Sequence, residues 1–91
     1  MVNKITIVFI STEVEIKPDN KGMYVLSLVA GDRPGLLARF ALILDAHDVR
    51  LHRAKINTLG SRAEDVFWVS GKRLSDPDAT KSFLGELLEK I

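Results

Sequence analysis

Between residues 5 and 16 the side chains alternate: Val8, Ile10, Thr12, Val14 and Ile16 share one face, while Ile5, Ile7 and Phe9 give way on the other to Ser11, Glu13 and Glu15. A period of two is that of a strand, here apolar on both faces only at its beginning. Pro18-Asp19-Asn20-Lys21-Gly22 is dense in turn formers, so the apolar run over 24–30 returns as the second strand of a hairpin. The period then lengthens. Leu36, Leu37, Phe40, Ala41, Ile43 and Leu44 keep the three-and-four spacing of a helix over 35–47, buried over much of its circumference. Val49 and Leu51 resume alternation in one phase and Ala54, Ile56 and Thr58 continue in the other, which predicts a strand over 49–59 with a bulge near His52-Arg53. Leu59-Gly60-Ser61 turns the chain into a strand over 63–70, with Phe67 and Val69 on one side and Val66 and Trp68 on the other. Beyond a loop over 71–75, Asp76 caps and Pro77 opens a helix over 77–90 whose stripe runs through Thr80, Phe83, Leu84, Leu87, Leu88 and Ile91.

The order ββαββα predicts an α+β fold with one antiparallel sheet carrying both helices on one face. It is a ferredoxin-like unit without its usual last strand. The strand over 5–16, hairpinned to 24–30, takes that strand's place, so the sheet is complete but permuted.

The turn Gly31-Asp32-Arg33-Pro34-Gly35-Leu36-Leu37 joins the second strand to the first helix. Gly31 and Gly35 allow backbone angles and close approaches that a β-carbon forbids, and Pro34 holds Arg33 extended. Asp32 is the expected helix cap, with Pro34 in the first turn. The free N–H groups there suit a carboxylate or carbonyl oxygen.

Composition narrows the function classes. Ninety-one residues make one domain, small enough to favour oligomerisation or attachment to a larger chain. Thirteen basic against twelve acidic residues leave a net charge of +1, with no broad field for nucleic acid or anionic lipid. There is no cysteine, hence neither disulfide nor thiolate zinc site, as suits a reducing compartment. The apolar start lacks a cleavage signal, and no run approaches the roughly 20 apolar residues of a membrane span. A soluble, cytoplasmic chain is expected.

Candidate chemistry is sparse. His47-Asp48 spells the dipeptide of metal-dependent HD hydrolases, but their sites draw further His and Asp from several helices, so no metal is expected. His47 is read as a helix-end histidine and His52 as a polar residue at the bulge that could reach a ligand. Glu64 and Asp65 are neighbours on a strand and point to opposite faces; they read as a solvated strand start, not an acid–base pair. No nucleophile constellation and no phosphate-binding loop is present, so the chain is not itself an enzyme.

Thr12-Glu13-Val14-Glu15, Asp32-Arg33-Pro34-Gly35-Leu36-Leu37-Ala38-Arg39 and the block from Leu51-His52 through Leu59-Gly60 to Glu64-Asp65-Val66-Phe67 resemble an ACT domain. The match over 12–70 is most similar to the C-terminal ACT domains of the bifunctional PII uridylyltransferase/uridylyl-removing enzymes. The resemblance implies an amino-acid sensor, glutamine first, regulating nitrogen metabolism. Its catalytic nucleotidyltransferase and hydrolase domains, with their magnesium, would lie outside these residues. It implies ligand binding by Asp32, Arg33, Pro34, Gly35 and Leu36, helped by the start of the next strand of a neighbouring ACT unit. Many ACT domains have Asn there; this chain has Arg50, with His52 close by. Implied partners are an amino acid, a second ACT domain or a second copy, and the parent catalytic domains.

Two rivals share this sheet. An RNA-recognition module would stack bases on Tyr24, Phe67 and Trp68, but the strand that should begin basic begins Ala63-Glu64-Asp65. An acylphosphatase could use Arg33 and Asn57 but lacks the phosphate loop. A purely structural ACT domain, pairing with partners and binding no ligand, is the other alternative.

Overall fold

Alternating segments become strands and three-and-four segments become helices. The computed structural model describes residues 11–91; positions 5–10 of the first predicted strand lie outside the described residues. In chain order come β1 (Glu13–Pro18), β2 (Tyr24–Gly31), α1 (Leu36–Ala46), β3 (Arg50–Lys55), β4 (Thr58–Leu59), β5 (Arg62–Ser70) and α2 (Pro77–Lys90).

The sheet runs β1-β2-β5-β3, antiparallel throughout, with β4 also on β5. β1 pairs with β2 from Glu13 opposite Val29 to Pro18 opposite Tyr24, which puts it where the last strand of a ferredoxin-like ACT fold lies. The permuted sheet is therefore present over the described residues. β2 and β5 form the centre, in register from Tyr24 opposite Val69 to Gly31 opposite Arg62.

Alternation on the central strands sorts the core. Leu26, Leu28, Ala30, Ala63, Phe67 and Val69 are buried and face the helices; Val25, Val29, Val66 and Trp68 face the other way and are half-buried. Phe67 stacks on Phe40 of α1, ring centroids 4.2 Å apart, and Phe83 and Leu87 of α2 close the layer. On the open face Arg53 lies over the Trp68 ring at 4.7 Å, a cation–π contact that covers part of the indole.

Several local expectations are corrected. The strand over 49–59 is two pieces, β3 and β4, interrupted at Ile56-Asn57. The bulge falls where predicted: pairing with β5 shifts between Leu51 and Arg53, leaving His52 as the extra residue. The loop over 71–75 contains a 3-10 turn, Lys72–Ser75, which sends Leu74 into the core. α1 is buried on one stripe only, through Leu36, Phe40, Ile43 and Leu44. Leu37 and Ala41 are exposed, because α1 has one sheet beneath it and nothing outside it among the described residues.

The helix start differs most. Asp32 makes no cap; its N–H donates to the Ser61 carbonyl at 2.8 Å, tying the turn to the β4–β5 connection. Pro34 lies outside the first helical turn, and Gly35 is the cap residue, left-handed at φ 79° with no side-chain cap bond. A β-carbon on Gly35 would meet nothing within 4 Å, so the position needs glycine for its dihedral and not for space. Gly31 has neither need. Close approach belongs to Gly71, whose β-carbon would stand 3.0 Å from the Asp48 carbonyl oxygen.

Candidate functional site

Because β2 ends where β5 begins, the turn after β2 stands beside β4 and the break between β3 and β4. A cavity of about 390 Å³ opens between them. Asp32, Arg33, Gly35 and Leu36 of the predicted site line it. So do Leu37 and Ala38 from the first turn of α1, and Ile56, Thr58, Ala63 and Asp65 across from them. The Leu36 N–H folds back onto the Arg33 carbonyl at 3.2 Å, and the α1 ladder begins with Arg39 donating to Gly35 at 2.9 Å. The amides of Leu37 and Ala38, between them, have no earlier helical carbonyl to bond, the usual condition of a helix N-terminus.

Asp65 is the residue missed from sequence. Instead of a solvated strand start, it is 2% exposed, paired across the sheet with fully buried Leu28 on the helix-covered face. The Asn57 N–H donates to its Oδ1 at 3.0 Å, which pins the break between β3 and β4. The signal was the alternation itself: Asp65 shares the parity of Ala63, Phe67 and Val69, all of them buried.

The other predicted site residues lie elsewhere. The Arg33 guanidinium turns away and donates to the Ile91 carbonyl, and Arg39 donates to the Lys90 carbonyl at 3.3 Å, so two cations meet the negative end of α2. Both also line a larger, open hollow of about 670 Å³ between the helices. Pro34 does not line the turn cavity. Arg50 and His52 are at the start of β3, the opposite end of the strand from Ile56, and His52 Nε2 is 2.6 Å from Ser70 Oγ on the open face. Within one copy they do not meet the turn.

His47 caps the C-terminal end of α1, as expected of a helix-end histidine, and its Nε2 lies 2.6 Å from Glu86 Oε2. Its ring packs on Phe83 at 5.3 Å. Hydrogen bonds from His47 and then Lys90 hold the Glu86 carboxyl below the ordinary carboxylate value. This end of the molecule is a structural clasp, and no group of three or more potential metal ligands occurs among the described residues. No helix there is long and apolar enough to cross a membrane.

No family model matches the chain. It is 54% identical over 68 residues, 74% of its length, to the bifunctional uridylyltransferase/uridylyl-removing enzyme of Chromobacterium violaceum. It is 46% identical over 84 residues, 90% of its length, to the enzyme of that name from Ralstonia nicotianae, and 46% over 83 residues to that of Burkholderia thailandensis. The chain spans only 8–10% of the length of these relatives.

Proposed function

We propose that this chain, a homologue of one segment of the bifunctional uridylyltransferase/uridylyl-removing enzymes, is a regulatory ACT domain. It binds an amino acid, glutamine first, in the cavity at its Asp32 to Ala38 turn. On this reading catalysis and its magnesium belong to other parts of a larger cytoplasmic enzyme, and the chain reports ligand to them. The observation that carries the reading is the cavity itself, which Leu37 and Ala38 of the first turn of α1 line together with the buried Asp65 and with Thr58 of β4. An amino acid has both charges, and its carboxylate is suited to the helix start.

A second ACT unit belongs to the proposal. Among the described residues β3 is an outer strand of the sheet, exposed along its whole length, and Leu51 within it and Leu37, Ile56 and Leu59 near it are 43–52% exposed. An edge of this kind is a template for pairing. Two copies joined antiparallel along β3 would bring Arg50 and His52 of one to the Ile56 end of the other, next to its turn. This supports a role for those two residues that one copy alone does not give them.

Thermal melts of the 91-residue chain against the twenty amino acids test the ligand: one present at 100 times its Kd adds about 2.7 kcal/mol of apparent stability. The expected result is the largest rise with glutamine. If no amino acid raises the melting temperature, the sensing reading falls. The structural reading, a pairing domain without ligand, then stands if sedimentation shows a dimer.

A further inference from the structure

A carboxylate removed from water is costly unless a cation or several donors compensate it. Asp65 has neither. It is 2% exposed, it takes one N–H, from Asn57, and it enters no ion pair among the described residues. Lys55 pairs with Val66 on the open face and, although it shares a smaller cavity of about 310 Å³ with Asp65, makes no ion pair with it. Among the described residues no fully enclosed polar side-chain atom lacks a partner and no donor reaches the second oxygen of Asp65, so that oxygen keeps some accessible surface. Asp65 lines two cavities, the smaller one it shares with Lys55 and the one at the turn, and only the second also holds a helix start.

The surroundings sharpen the demand. Leu36, Ile56 and Ala63 line the turn cavity and offer no charge, Asp32 adds a second negative group, and the one cation in the lining, Arg33, has its guanidinium engaged by the Ile91 carbonyl. The positive end of α1 favours an anion at one side of the cavity, and the Asp65 side favours a cation. A ligand carrying a carboxylate and an ammonium a few ångströms apart answers both.

The geometry points to Asp65 as the receptor for the α-ammonium group of the ligand, and so as the residue that restricts the cavity to free amino acids. The assignment rests on the reading of the turn as an amino-acid site. It adds that the amino group is required, and names the atom that reads it: the Asp65 oxygen not bonded to Asn57. Asn57 then has a defined part as a positioning residue, since its N–H fixes the carboxylate rotamer.

The test is calorimetric titration of the full chain with L-glutamine and with 4-carbamoylbutanoate, which is glutamine without its amino group. Asp65→Asn, which keeps an oxygen for the Asn57 N–H, is titrated with both. The expected result is that the chain prefers glutamine by about 30-fold or more, the scale for removing one member of a desolvated charge pair. Asp65→Asn should bind glutamine more weakly by a similar factor and no longer distinguish the two compounds. Equal binding of both compounds by the unaltered chain overturns the assignment while leaving the sensing reading intact, and so does undiminished preference in Asp65→Asn. Failure of glutamine and of every other free amino acid to bind the unaltered chain overturns the sensing reading itself. The comparison of the two compounds needs no variant, so it holds even if Asp65→Asn proves unstable.

Discussion

Two carboxylates set the two ends of the molecule apart. Glu86, partly exposed, has more partners than it needs: His47 at 2.6 Å on one oxygen and Lys90 at 3.1 Å on the other. Asp65, far more buried, has among the described residues a single backbone N–H at 3.0 Å. If stability alone were at stake the allotment would be reversed, since the cost of an uncompensated charge grows with burial. The pairing of Glu86 with His47 joins the α1 C-terminus to α2 over Phe83, and reads as structure. The deficit at Asp65 reads as a place held for something that arrives later, the usual relation between a binding site and the stability forgone there.

The largest effect expected is at the clasp. Phe83 is 1% exposed beneath His47, and Phe83→Ala should cost about 3–5 kcal/mol, read by chemical denaturation. If the two ends are separate, the fraction that remains folded should bind glutamine with unchanged affinity. A matching loss of affinity would break the contrast.

A smaller cost is expected at the turn, with the opposite balance. Gly35→Ala forces a β-carbon into φ 79° and should lose about 1–2 kcal/mol, while binding falls more steeply because Gly35 sets the direction of the first-turn amides. Gly35→Asn, which tolerates that dihedral better, should recover most of the stability. If Asn and Ala behave alike, the demand at this position is spatial after all, contrary to the open surroundings of its α-carbon.

The smallest effect is the acid response of the clasp. Folded Glu86 gives up its proton at a lower pH than it would in the unfolded chain, so between the two values the unfolded chain binds more protons. Its contribution is therefore full above the ordinary carboxylate value and is lost as pH falls through the lowered one. Glu86→Gln should flatten that acid limb of a stability-against-pH curve. An unaltered acid limb would show that the His47 and Lys90 contacts do not persist in solution.

Periodicity determined most of this molecule. The two-residue alternation of 24–30 and 63–70, the change of phase around His52, and the stripe from Phe83 to Ile91 are local patterns, and local patterns dictate which face of an element is covered. They carried the element order, the bulge and the helix over 77–90, and with them the permuted sheet. They also held the signal for Asp65, whose parity with Phe67 and Val69 outweighs the charge that made it read as a solvated strand start. Tertiary structure decided what depends on contacts between distant segments. Arg33 belongs to the turn in sequence but reaches Ile91, 58 positions away, and His47 meets Glu86, 39 positions away. Asp32 is in capping position by spacing, yet the Ser61 carbonyl takes its N–H and Gly35 becomes the cap. No reading of neighbours along the chain specifies such pairings, because they form only when the β2 to α1 turn, the β4 to β5 connection and the end of α2 are brought together by closing the sheet.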